Sequence, residues 1–172
     1  MSKDLWLQIA EKLNEHSYMT GVDRRKARVQ ATAEVFTPTE LVVEILKYLD
    51  LSLFAPGRTV LDPACGDGQF LVAAKFVKIL HHQMSDSAAC ADLFGVDLMR
   101  DNVDLCKSRL GGGTIVMGNS LHPTLRLHGQ TDEEHKLMSG LFNEYGVIRQ
   151  KKKRLHSSQR TAPDSTVAPT LF

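Results

Sequence analysis

The sequence predicts a three-layer α/β fold on an incomplete parallel sheet, and three observations carry that reading. First, the runs Thr59-Val60-Leu61, Leu93-Phe94-Gly95-Val96-Asp97 and Thr114-Ile115-Val116-Met117 have the length and composition of buried strands. Second, stretches of helical periodicity separate them. Phe70, Leu71, Ala73, Ala74, Val77 and Leu80 follow the first run, and Val103, Leu105, Cys106 and Leu110 follow the second. Strands alternating with helices are the pattern of βαβ units, whose strands run parallel. Third, Asp62-Pro63-Ala64-Cys65-Gly66-Asp67-Gly68 joins the first strand to its helix at the strand's carboxyl end, where α/β sheets bind ligands.

Composition sets the outer bounds. A chain of 172 residues suits one modest domain and is short for a catalytic domain plus a separate recognition domain. No apolar run reaches the ~18–20 residues of a membrane span, and the N-terminus lacks the basic-then-apolar plan of a signal peptide. The expectation is a cytoplasmic protein with no membrane partner. Cys65, Cys90 and Cys106 show neither paired nor metal-ligand spacing, which fits a reducing compartment and no metal site. The net charge of +1 hides an asymmetry: residues 146–172 hold six Lys/Arg against one Asp/Glu. Three segments are expected: a helical segment over 1–30, the α/β domain over 31–146, and a basic, disordered tail over 147–172.

In chain order, Leu5, Trp6, Ile9, Ala10 and Leu13 predict an amphipathic helix within residues 3–16, with Gly21 at or beyond its end. Asp23-Arg24-Arg25-Lys26-Ala27-Arg28 is a basic cluster, read either as a solvated helix face or as a contact for DNA phosphates. Thr37-Pro38-Thr39-Glu40 has the chemistry of a helix start, with Thr37 as N-cap, Pro38 in the first helical position and Glu40 closing a capping box. Leu41, Val42, Ile45, Leu46 and Leu49 follow at helical spacing. Ala55-Pro56-Gly57 turns the chain into the first strand. The adjacent His81 and His82 point to different sides of a helix and cannot share a metal as an i, i+4 pair can. Ser85-Asp86-Ser87-Ala88-Ala89 reads as a polar connector, and Gly111-Gly112-Gly113 breaks the second helix. Thr131 and Glu134 predict a second capping box, ahead of a stripe of Leu137, Met138, Leu141, Phe142 and Tyr145. Beyond Lys151-Lys152-Lys153-Arg154 no apolar periodicity remains, and the chain closes on Leu171-Phe172.

Asp62 at the strand's end would repel a phosphate, so the glycine loop suits a zwitterion bearing an ammonium group and a carboxylate. Cys65 at the helix entrance invites a nucleophile reading, but no histidine can be placed beside it, and packing under the loop is the expectation. The loop Asp62-Pro63-Ala64-Cys65-Gly66-Asp67-Gly68 resembles the cofactor loop of S-adenosylmethionine-dependent DNA methyltransferases of the adenine-N6 type. Val35-Phe36-Thr37-Pro38 upstream resembles the element preceding that loop in the branch with an N-terminal cofactor motif. Phe94-Gly95-Val96-Asp97 downstream resembles its second strand with a terminal acid. The likeness covers about residues 30–120. It implies a Rossmann-like methyltransferase fold and S-adenosylmethionine as cofactor. It also implies a role for Phe36, Thr37 and Pro38 beside the methionine carboxylate, for Asp62, Pro63, Ala64, Cys65, Gly66 and Gly68 as the loop, for Asp97 on both ribose hydroxyls, and for Asn119 as acceptor of the adenine amino group.

The resembled enzymes also carry an Asn-Pro-Pro-Tyr-like motif after their fourth strand, which holds the flipped-out base. No Pro-Pro occurs in this chain, and Asn119-Ser120-Leu121-His122-Pro123 lacks the second proline and the aromatic residue. The catalytic residues are therefore unknown from sequence. Three readings follow: a DNA adenine-N6 methyltransferase whose base pocket comes from a second polypeptide or an unrecognised segment, a catalytically inactive module that binds S-adenosylmethionine and serves a partner, or, against the intact acids Asp62 and Asp97, a remnant that folds but binds little. DNA is the implied substrate. The ending Leu171-Phe172 resembles, in its last positions, peptides that dock on the bacterial sliding clamp.

Overall fold

The first predicted strand appears as β1 (Val60–Asp62), one of four parallel strands in a computed structural model that describes residues 4–18, 34–142 and 170–171. Before it come α1 (Leu5–Leu13), α2 (Thr39–Lys47) and a 3-10 turn at Leu51–Phe54. After it come α3 (Gln69–Leu80), α4 (Asp86–Ala91), β2 (Leu93–Asp97), α5 (Arg100–Leu110), β3 (Thr114–Met117), α6 (Asp132–Leu141) and β4 (Thr170–Leu171). The strand order is β3-β2-β1-β4, with Leu61 opposite both Phe94 and Leu171. Strand order reverses direction between β1 and β4, so the crevice at the carboxyl end of β1 is a topological switch point.

Period-two alternation divides the sheet between two cores. Val60, Leu93 and Ile115 face a core shared with Ile9, Leu46 and Leu71 on the helices of one side. Leu61, Val96 and Val116 face Met138 and Phe142 on the other, beneath α6. The result is the expected three layers, with most of the helical mass on one face. The N-terminal helix belongs to this body, since Ile9 and Leu13 are fully buried. Among the described residues no helix is long and apolar enough to cross a membrane.

Two buried charges fix the ends of elements. Lys78 on α3 is fully buried and donates from Nζ to the carbonyls of Phe54 at 3.2 Å and Arg58 at 2.7 Å, and to Asp92 Oδ2 at 3.1 Å. It thereby ties down the Ala55-Pro56-Gly57 turn that starts β1. Burial lowers its pKa, and Asp92 works against that. On the opposite face Glu134 closes the predicted capping box with Thr131. It also accepts both guanidinium nitrogens of Arg100, at 2.7 and 2.6 Å, so α6 is locked to the start of α5.

Several expectations are corrected. Helix α2 begins one residue late: its N-cap is Pro38, in extended conformation and with no side-chain cap. Thr37, held next to the proline, does not cap the helix, and Glu40 is displaced from the capping-box position. The first-turn N–H groups of α2 therefore have no side-chain acceptor. Thr39 instead accepts from the Gln69 amide at the start of α3. The polar connector after His82 contains the short helix α4, capped by Ser85. The tail is not without structure throughout, because Thr170 and Leu171 form β4 against β1. Leu171 pairs there with Leu61 of β1. The Asp23–Arg28 cluster, Gly21, Tyr145, Lys151–Arg154 and Phe172 lie outside the described residues.

The forked Arg100–Glu134 pair yields the first prediction. It holds the Glu134 carboxyl down at about 2, against an ordinary 4.5, despite burial pushing the other way. A depressed carboxyl stabilises the fold fully above its unfolded value, and that contribution is lost as pH falls through the folded value. Glu134→Gln should cost about 1.5–3 kcal/mol at pH 7. The difference from wild type should shrink between pH 4.5 and pH 2, as read from urea midpoints.

Candidate functional site

β1 delivers Asp62 to the sheet's carboxyl edge, and the chain then turns back on itself. Cys65 N–H donates to the Val96 carbonyl at 2.9 Å, extending the β1–β2 ladder by one bond. Gly68 N–H closes the turn on the Cys65 carbonyl at 2.8 Å. Gly66 and Gly68 have φ of +52° and +93°, a region that side chains rarely adopt. Gly68 also passes so close to α5 that an added Cβ would lie 2.7 Å from Cys106 Sγ and 3.1 Å from its Cα. The ring of Phe36 rests on Gly66, 3.3 Å from where a Cβ would be.

The loop is fastened from both sides. In front, Gly66 N–H donates to Asp97 Oδ2 at 2.9 Å. Behind, Asp67 pairs with Arg109 at 2.6 Å. Arg109 also donates to the Ser17 carbonyl at 2.6 Å and stacks 4.6 Å from the centre of the Tyr18 ring. Sequence reasoning missed this rear clasp. Its signal was an acid inside the glycine turn and an arginine in the last turn of a helix, 42 positions apart.

In front of the loop lies a cavity of about 400 Å³. Phe36, Thr37, Asp62, Pro63, Ala64, Cys65, Gly66, Asp97 and Asn119 all line it. Pro38 and Gly68 do not: the first caps α2 and the second packs on α5. Glu34, Asn102 and Gln69 join the lining unforeseen, and the exposed apolar side chains of Val35, Leu98 and Leu121 border it. Among the described residues no group of His, Cys, Asp and Glu could hold a metal.

The site's charge is negative and buried. Asp62 is only 5% exposed; its Oδ1 accepts from Ala64 N–H at 3.1 Å. Burial pushes its carboxyl up to about 7, the Ala64 bond resists, and Asp97 adds to the rise. Asp97 is raised as well, first by burial, and is held down by N–H bonds from Met99, Asn102 and Gly66. The Cys65 thiol is pushed well above its usual range, first by its contact with Cys106 and then by burial. The side chain is buried beneath the loop. Asn119 departs from expectation. Its amide oxygen accepts from the N–H groups of Leu121 at 3.0 Å and His122 at 3.1 Å, so both acceptor directions close its own turn.

A family model described as N-6 DNA Methylase matches residues 24–111. Among solved structures, the crystal structure of Thermoplasma acidophilum 1320 aligns with a TM-score of 0.44 and 14% identity, over 69% of this chain and 48% of that one. The chain thus spans about half the length of that protein. No curated protein sequence matches it.

Two predictions follow from the loop. Gly68→Ala combines a left-handed backbone with overlap on Cys106, and should cost about 2–4 kcal/mol in urea denaturation. Asp62→Asn should do the reverse. A raised carboxyl makes the folded state retain a proton that the unfolded chain, near 3.8, gives up, so wild-type stability declines as pH rises toward 7. The asparagine variant should match wild type at pH 4 and be more stable at pH 8, by an amount on the order of a few kcal/mol. Parallel pH profiles for the two proteins would refute the assignment of Asp62.

Proposed function

Because the chain belongs to the N-6 DNA methylase family, we propose that its cavity binds S-adenosylmethionine and that the protein serves methyl transfer to the N6 amine of adenine in DNA. One observation carries the reading. A buried carboxylate, a second carboxylate at the next strand's end and an apolar border all meet at a single cavity outside the β1 switch point.

The residues present fit that cofactor. Asp62 Oδ2 has no hydrogen-bond partner among the described residues, and its carboxylate suits the ammonium group. The uncapped first turn of α2, next to Thr37, favours the carboxylate group through free N–H groups and the helix dipole. Asp97 accepts from the ribose, while Leu98 and Leu121 offer apolar surface to the purine. A cavity of about 400 Å³ lies within the ~300–1,000 Å³ usual for such ligands. When bound, S-adenosylmethionine supplies an electrophilic methyl group on sulfonium. The chain's own part is to hold and orient it and to exclude water from the buried loop.

The target base needs a stacking platform and acceptors for its amine, and the sequence holds no Asn-Pro-Pro-aromatic motif. A second polypeptide, or a segment of another kind, supplies them in this reading. The alternative reading is an inactive partner that retains S-adenosylmethionine. The setting in either case is the cytoplasm, with DNA at hand. Calorimetry with S-adenosylmethionine and S-adenosylhomocysteine should show binding to the isolated chain. Tritiated-methyl transfer to DNA should be weak for the chain alone and restored by the product of an adjacent gene. Binding without restored transfer would select the alternative; a folded chain that binds neither ligand would end both readings.

A further inference from the structure

Behind the cavity wall a single guanidinium holds two distant segments of chain together. Arg109 Nη1 donates to the Asp67 carbonyl at 3.0 Å and pairs with Asp67 Oδ2 at 2.6 Å, so it grips both backbone and side chain of the glycine turn. Its Nη2 donates to the Ser17 carbonyl at 2.6 Å, and its Cζ lies 4.6 Å from the centre of the Tyr18 ring. The Arg109 and Asp67 side chains are 13% and 4% exposed, a shielded setting in which a charged, forked contact is strong. Asp67 lines the cavity together with Cys65 and Gly66, whereas Ser17, Tyr18 and Arg109 do not. The guanidinium reaches the cavity through Asp67.

This grip has an opposing element built into it. The Tyr18 hydroxyl is buried and has no hydrogen-bond partner among the described residues. A buried donor left unpaired is unfavourable, and the penalty disappears once the group meets water. The Tyr18 ring therefore favours its seat on Arg109, while its hydroxyl works against that seat. Two arrangements of Ser17 and Tyr18 follow. In one they are seated on the guanidinium. In the other they are released, with the hydroxyl hydrated and Arg109 holding Asp67 alone.

We infer that Arg109 is a positioning residue for the loop, and that Ser17 and Tyr18 form a strap that sets it. Seated, the strap fixes the guanidinium on Asp67 and keeps the glycine turn in place. Released, it lets the turn loosen and opens the cavity wall around Cys65. By linkage, whatever seats the strap tightens the cavity, and a ligand that binds the closed cavity seats the strap. The inference deepens the proposed cofactor reading by giving that site a control at its rear.

Thiol labelling tests it without any ligand. Cys65 lines the cavity, while Cys90 does not and packs on Gly112 instead. Both are buried and free. Iodoacetamide would be applied to the full chain and the rate at each cysteine read by peptide mass spectrometry, with Cys90 reporting global unfolding. Arg109→Lys keeps the charge but cannot fork between Asp67 and Ser17. It should raise the Cys65 rate about tenfold relative to Cys90. Tyr18→Phe keeps the ring and removes the unpaired hydroxyl, and should lower the Cys65 rate about fivefold relative to Cys90. Equal shifts at the two cysteines mark a merely structural role and overturn the inference, as does a Tyr18→Phe rate at or above wild type. In calorimetry, S-adenosylhomocysteine should bind Arg109→Lys more weakly than wild type, and adding Tyr18→Phe should restore part of the loss. Equal affinity of wild type and Arg109→Lys overturns the inference as well. A folded wild type that binds no ligand removes the cofactor reading and leaves the thiol rates to decide the strap.

Discussion

The hydrogen bond from Gly66 N–H to the Asp97 carboxylate is the constraint on which the site depends. It joins the loop after β1 to the end of β2 across a gap that the sheet ladder does not reach. With the loop drawn forward, Gly66 must take a left-handed backbone and Gly68 must press against α5. Phe36 can then settle on Gly66, which brings the segment before α2 against the cavity. Arg109 holds the same loop from behind through Asp67. A ligand entering this cavity meets walls already in place, so little ordering is left to oppose binding.

The electrostatic design trades stability for readiness. Asp62 and Asp97 meet at a cavity with no lysine or arginine among the described side chains that line it. Burial raises both carboxyls, and Asp62 retains its proton almost to neutrality. A cationic group arriving at Asp62 releases that proton and relieves the tension. Elsewhere the protein treats buried charge in the opposite way: Lys78 and Glu134 are surrounded by partners and serve to pin turns and helix ends.

Elements with a local signature were legible in the sequence. Strand runs, the helices α3 and α5, the cap at Thr131 and Glu134, and the loop between Asp62 and Gly68 all announce themselves over a few neighbouring residues. What stayed hidden was set by contacts between distant positions or by competition at one position. Asn102 and Glu34 lie 68 residues apart, and nothing in either segment alone pairs them. Pro38 could start the helix from inside or from the cap, and tertiary placement chose the cap. Asn119 could serve a ligand or its own backbone, and asparagine's habit of closing a local turn prevailed. β4 spans two residues, too few for any periodicity to show.

That last strand bears on how the chain folds. β1, β2 and β3 are linked by short crossovers, so their pairing draws on neighbours close in sequence. Leu171 reaches Leu61 only by closing a loop of about 110 residues, and such closure carries an entropy cost that delays it. During assembly the outer edge of β1 is therefore the last to be covered. Until then Val60 and Leu61 present an unpaired apolar edge to any other extended segment, in the same strand that carries Asp62 to the cavity.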